Sequence, residues 1–484
     1  MNYELTRKMN KITKTIIIIT FLLSISLKIF AATNYVSKTG GHVFPFISWA
    51  DAATNIQAAV DAAGAGDMVL VDDGTYYLSS QISVTNDMIV KSVSGAEKTI
   101  VNGGFPAQTN MCFYINTNDV IDGFTITNGF AGRGGGVYCD YGGTIINCLI
   151  LGNKAEYAGG GVRCLYGGIV SNCTIGGNVC SDGGGISGAY GGTILNSIIE
   201  NNLANGWSGD GGGVDFYHDG ILKNCIIRGN TTLDGDGGGV ACNYKSIVEN
   251  CVIVGNTANE DGGGVLCKFE AIVKDCVITN NTAKNAGGAR CGTRGDVENC
   301  IIVGNNAQEE GGGVYCYGEL RNCLIINNSS GTGGGVFSWD GTIQNCTISG
   351  NSASNTDGGV TCNGYTIIQN SIIWNNTNDN TFSSTTTNIY NCIENWTNIV
   401  NGIITNNPKF RDVAAGNYRL EEFSPCRNTG TNMSWMLTAK DLDGNPRITG
   451  GIVDMGGYEY IPEPFYLLFV IYYLIFISWW RMEI

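Results

Sequence analysis

Six residues within one short stretch carry the side-chain types that hold or cleave sugars: Trp207, Asp210, Asp215, Tyr217, His218 and Asp219. An aromatic ring stacks on a sugar face, carboxylates take hydroxyl hydrogen bonds or protons, and His218 is one of only two histidines in the 484-residue chain. Groups of this kind converge in glycan grooves, so this flank is the candidate glycan-contacting site. Beside it runs a file of acids. The residue before a glycine triplet is Asp182, Asp210, Asp236 and Asp261 in four successive units, then Asn285 and Glu310. Carboxylates stacked about 5 Å apart repel each other. They either reach into solvent or share cations, which makes Asp182, Asp210, Asp236 and Asp261 a candidate calcium set. No cofactor is required.

Catalysis is harder to read. Glycoside hydrolysis needs paired carboxylates, and galacturonase-type sites add a histidine and an Arg-Ile-Lys. The only Asn-Thr-Asp is Asn355 to Asp357, inside the repeat frame, and no Arg-Ile-Lys occurs. A lyase needs a base such as arginine and, in most cases, calcium. Arg163, Arg228 and Arg290 stand without an evident ligand set. The sequence leans away from an enzyme. A polysaccharide lyase or glycoside hydrolase acting along residues 207–236 is the alternative.

The 19 cysteines are the other reactive residues. No Cys-x-x-Cys pair occurs, which argues against zinc and redox motifs. Most recur in phase. One ladder holds Cys148, Cys173, Cys225, Cys251, Cys276, Cys300, Cys323, Cys346 and Cys392. A second holds Cys139, Cys164, Cys242, Cys267, Cys291, Cys316 and Cys362. Where a rung is missing the substitute is Ser197, Ser371, Gly188, Ser338 or Phe216. These are uncharged residues, as a packing position accepts. Reduced interior ladders are the favoured reading, and disulfides between rungs stay open.

That phase exposes the element that positions everything else. The heptapeptide [ND]-[CS]-x-I-x-x-N occurs ten times, starting at Asn147, Asn172, Asn196, Asn224, Asn250, Asp275, Asn299, Asn322, Asn345 and Asn370, with a period of 23 to 28 residues. Its fourth residue is always Ile. Its last is always Asn, including Asn153, Asn178, Asn230, Asn256 and Asn305. Alternating apolar runs such as "TIINCLIL" have strand periodicity, and none is long enough for a helical repeat. Three short strands per unit, separated by Gly and Asn bends, describe one coil of a single-stranded right-handed parallel β-helix, an all-β solenoid. At about 4.8 Å per coil, ten clear coils and two or three degenerate ones make a rod of roughly 60 Å. Cys and Ile of the heptapeptide then share the interior. The Asn residues fall at bends, where stacked amides satisfy backbone that the bend leaves unpaired.

The ends differ from the middle. Lys8, Lys11 and Lys14 precede "IIIITFLLSISL", which reads as a signal peptide over 1–32; a retained N-terminal anchor is the other reading. Residues 33–110 supply an N-terminal cap and first coils. A capping helix is expected within 48–64, with Ser48 and Asp51 as its capping box and Trp49, Ala52, Ile56, Val60 and Ala63 as its apolar stripe. Repeats fill 111–400, a distinct module 401–460, and an apolar tail 461–484. The net charge of −15 argues against a nucleic-acid partner.

Several stretches resemble known families. Residues 34–110 look like the N-terminal cap of bacterial pectin-lyase-like proteins. The repeats are similar to those of chlamydial polymorphic outer-membrane proteins, with Gly-Gly-Gly-Val in place of a Gly-Gly-Ile-type element. "NPKFRDVAAGNYRLEEFSPCRNTGT" and "DLDGNPRITGGIVDMGGYEY" resemble a choice-of-anchor Q module. Pro462, Glu463 and Pro464 before an apolar run resemble the PEP-CTERM sorting signal, with the basic tail reduced to Arg481; a plain C-terminal anchor is the alternative. These resemblances imply export to a bacterial envelope, outer surface or extracellular matrix. They also imply processing by an exosortase-type enzyme and membrane contact through the C-terminal segment, at least before processing. Extracellular polysaccharide or envelope components are the implied partners. The expectation is an exported, surface-associated β-helix with a structural, adhesive or glycan-contacting role.

Overall fold

A computed structural model describes residues 32–462 apart from Ser208 and Asp379. Residues 1–31 of the expected signal peptide, and the expected sorting tail from Glu463 through Pro464 onward, lie outside the described residues. Among the described residues no helix is long and apolar enough to cross a membrane.

The chain is an all-β parallel solenoid of about 12 turns. It divides into two compact units, Met1–Asp234 and Gly235–Ile484. Ten coils carry four strands where three are expected. In one coil of the first unit these are Val162–Cys164 after the glycines, Ile169–Ser171 before the heptapeptide, Thr174–Gly176 inside it, and the short Val179–Cys180 beyond it. We call the sheets they build the glycine-side, leading, heptapeptide and short sheets. The short strand does not show as periodicity because in most coils it has only two residues, too few to alternate.

Register is kept residue for residue. In the first unit Cys139 pairs with Cys164, Ile145 with Val170 and Ile150 with Ile175. In the second, Cys291 pairs with Cys267 and Cys316, and Ile302 with Ile278 and Ile325. The rung isoleucines are fully buried, so each contributes roughly 2 kcal/mol of apolar burial.

The two asparagines do different jobs. The first heptapeptide residue takes a left-handed conformation in all ten copies, with φ between 49° and 55°. Asn and Asp tolerate that region better than other non-glycine residues. The last Asn is buried and strings the coils together. Asn178 Nδ2 donates to Ile150 O at 2.9 Å and to Asn202 Oδ1 at 3.0 Å, while its own Oδ1 accepts from the Asn153 backbone N–H at 2.9 Å. Asn281, Asn305, Asn328 and Asn351 repeat the pattern in the second unit. The third glycine of each triplet leaves room for this ladder: a Cβ on Gly161 would lie 3.0 Å from Asn178 Nδ2.

All 19 cysteines are buried. A rung thiol donates to the carbonyl two residues earlier, as Cys173 does to Ser171 at 3.2 Å. Where Gly188 leaves a rung empty, the Phe216 ring of the next coil fills it, 2.7 Å from where a Cβ would stand. Cys392 is not a rung. Cys392 pairs with Ile372 and Ile393 with Ile373, so Asn391 occupies the rung and gives its Oδ1 to the Ser371 N–H at 2.8 Å. A one-residue slip in this last strand turns Cys392 to the outer face.

At the N-terminal end a single α-helix, Ile56–Ala62, packs on the first strands. Ser48 and Asp51 do bond reciprocally, but they close a turn ahead of the helix. The helix N-cap is Asn55, whose Oδ1 accepts from Ala58 N at 2.9 Å. Trp49 is largely exposed, whereas Ala52, Ile56, Val60 and Ala63 are buried as the stripe expects. At the C-terminal end a hairpin, Phe410–Asp412 with Asn417–Leu420, and the segment after it lie on the outer face of the heptapeptide sheet. Tyr418 and Tyr458 cover Leu324 and Ile326. Leu420, Cys426 and Met455 cover Ile372 and Cys392.

Candidate functional site

The outward residue at the centre of each glycine-side strand has no repeat constraint. In the first unit the register sets Tyr114, Tyr138, Arg163, Ser187 and Asp215 side by side in that order. Their flank is an open groove of about 450 Å³ lined by Arg133, Tyr157, Arg163, Asp182, Ser187, Tyr190, Asp215 and Tyr217 among others.

Within it, Arg163 Nη1 donates to Ser187 Oγ, and Ser187 Oγ lies 3.5 Å from Asp215 Oδ2. Burial pushes the Asp215 carboxyl up to about 8. Repulsion from Asp210 and Asp182 adds to this, and Arg163 opposes it. Burial likewise raises Asp182 and lowers Arg163. Burial thus favours the protonated form of the Asp215 carboxyl, which can donate a hydrogen bond or a proton. Three tyrosines rim the groove with half or more of their surface free: Tyr157 at 60 %, Tyr190 at 52 % and Tyr217 at 51 %. Tyr190 also belongs to a stacked file, with Tyr141 to Tyr166 at 5.2 Å, Tyr166 to Tyr190 at 5.3 Å and Tyr190 to His218 at 5.9 Å between ring centroids.

Of the residues expected at the sugar site, Asp215 and Tyr217 line this groove, and His218 touches it through Tyr190 and, edge-on, Tyr217. Asp210 acts on Asp215 electrostatically. Trp207 stands 95 % exposed on its insertion and is not among the groove-lining residues. Asp219 sits in a left-handed turn facing solvent. The sequence does not single out Arg133, Tyr157, Ser187 or Tyr190, and it offers Arg163 only as a base without a ligand set. Aligning the central residue of the strand after each triplet would have found Arg163 and Ser187.

The acidic file splits by unit. Asp182 belongs to the groove. In the second unit Asp236 pairs with Lys268 at 3.1 Å, and Asp261 pairs with Arg290. Among the described residues no group of three or more His, Cys, Asp or Glu is arranged to hold a metal. Arg290 in turn lies over Tyr315 and Tyr317, at 4.7 and 5.2 Å from their ring centroids. Phe337 and Ala286 pack against Tyr315, so this part of the face is filled.

No protein-family model matches the chain. No curated protein matches it either. Solved structures do. Pectate lyase Pel9A is similar at 15% identity and a TM-score of 0.37, over 90% of this chain and 98% of that one. Alginate lyase AlyF-OU02 is similar at 13% identity and a TM-score of 0.42, over 74% and 86%. The A-module of the Azotobacter vinelandii mannuronan C-5 epimerase AlgE6 is similar at 14% identity and a TM-score of 0.35, over 69% and 94%. The likeness is one of architecture.

Proposed function

We propose that the first unit binds a glycan in the groove between Arg133 and Tyr217. On this reading the chain is an exported, envelope-associated β-solenoid whose structural or adhesive role works through that contact. The carrying observation is the convergence of three exposed tyrosines with Arg133, Arg163, Asp182 and Asp215 around one concavity. Tyrosine supplies an apolar face and a hydroxyl, and the charged groups fix the orientation of a polar ligand. The described chain would be screened on a glycan array. Binding that weakens at least about tenfold in Tyr190→Ala and in Arg163→Ala supports the reading. Binding to no glycan, or binding indifferent to both substitutions, would sink it.

A second reading is favoured by one feature, two carboxyls, Asp182 and Asp215, lining the same groove with the Asp215 carboxyl raised by burial. A group poised near neutral pH can serve as a general acid, which would make the groove polysaccharide-active. A lyase and hydrolase screen separates the two. Turnover abolished by Asp215→Asn with binding retained would establish the enzyme.

A further inference from the structure

We propose that Cys392 and Cys426 form a disulfide clasp that fastens the C-terminal segment to the strand Cys392–Ile393. The slip that places Asn391 in the interior rung sends Cys392 outward, into the cluster of Ile372, Leu420, Cys426 and Met455. There Cys392 and Cys426 share one buried cluster, and the Cys392 thiol donates to Asn406 O at 3.3 Å. Both residues are fully buried, and they lie 34 positions apart in the chain.

This pair differs from the interior ladders in what it joins. Ladder rungs sit on strands already fixed by sheet hydrogen bonds, as Cys291 is to Cys316. A bond between them would restrict little that the sheet leaves free. Cys392 belongs to a strand and Cys426 to a loop held by side-chain packing and a few bonds, among them Met455 N–H to Cys426 O at 3.0 Å and Asn370 Nδ2 to Thr431 O at 2.9 Å. Cross-linking such a pair closes a loop that the unfolded chain would otherwise explore.

The chemistry needs an oxidant of the disulfide class. One thiolate attacks the oxidant's disulfide and releases a thiol, and the second cysteine then displaces the other half. Cys392 and Cys426 together lose two protons and two electrons, and the oxidant becomes two thiols. Burial and the neighbouring sulfur hold the Cys426 thiol well above its ordinary range. The bond therefore forms before the segment closes over the sheet, or during its transient opening.

The full chain is equilibrated with oxidised glutathione, acid-quenched, alkylated in denaturant and mapped by peptide mass. The expected result is loss of two of the 19 thiols, with the Cys392 peptide linked to the Cys426 peptide. In Cys426→Ala every remaining cysteine should alkylate. Limited proteolysis of residues 410–460 should be slower for the oxidised than for the reduced wild-type chain, a comparison that needs no variant to fold. Full alkylation of all 19, linkage confined to ladder cysteines, or equal proteolysis of the two forms would overturn the clasp.

Discussion

Arg163 and Arg290 occupy the same place in their coils, yet one borders a groove and the other is packed away. Each is the central outward residue of a glycine-side strand, and each is followed in register by a different partner: Ser187 beside Arg163, Tyr315 beside Arg290. Serine leaves the guanidinium a hydroxyl and open space. Tyrosine covers it with a ring, and Phe337 seals the ring's edge. The scaffold is the same in both, so the difference lies in one outward side chain per coil. A solenoid of this kind specifies its fold with inward residues and its surface chemistry with outward ones, and the two sets vary independently.

The sharpest way to break this comparison is to empty the filled region. Phe337→Ala removes a ring that is 2 % exposed and should destabilise the second unit by about 3 kcal/mol or more. Tyr190→Ala, at the half-exposed rim, should cost less than about 1 kcal/mol. Urea unfolding of the two variants measures both, and equal costs would mean that the open and filled regions do not differ as described.

The converse is to close the groove. Ser187→Tyr rebuilds beside Arg163 the neighbour that Arg290 has. Glycan binding should weaken at least about tenfold while the unfolding midpoint holds or rises. Retained binding would move the ligand away from Arg163 and Ser187.

The core could be read from sequence because every coil repeats it. Ile150, Cys148 and Asn153 mean the same thing ten times over, and ten aligned copies outweigh weak local propensity. The outward positions have no such redundancy. Asp215 and Tyr217 were found because they crowd next to His218 in one strand, whereas stacking alone brings Ser187 beside Asp215, 28 residues away along the chain, and Arg163 beside Ser187, 24 residues away. Trp207 misled for the opposite reason. It is near in sequence, but its insertion carries it outward, and sequence proximity says nothing about direction at such a loop. Cys392 misled because "NC" recurs there while the register does not.

Titration separates the two regions more finely. The folded-state pKa of Asp215 is raised, so the native state binds a proton that the unfolded state has released between about pH 4 and 8. Its contribution to stability is complete below the unfolded pKa and is lost as pH rises toward 8. Asp215→Asn cannot ionise, so its stability relative to wild type should grow over that window. Parallel curves from urea unfolding at several pH values would place the carboxyl in solvent and weaken the assignment of the groove floor.

The smallest effect is expected where both regions are alike, in the interior. Ser197 already stands in the first unit's ladder with its Oγ donating to Leu195 O at 2.7 Å and accepting from Cys173 N–H at 3.1 Å. Those are the bonds that Cys173 makes one coil earlier, at 3.2 and 3.4 Å. The rung thus asks for a small group that donates to the carbonyl behind it and accepts from the amide beside it. Ser371 meets the same demand in the second unit, donating to Gln369 O at 3.1 Å. Cys173→Ser and Cys300→Ser should therefore each shift stability by no more than about 1 kcal/mol, and by similar amounts in the two units. A large loss in one unit alone, measured by urea unfolding, would show that the interiors are not equivalent. The contrast between Arg163 and Arg290 would then owe something to the core beneath them.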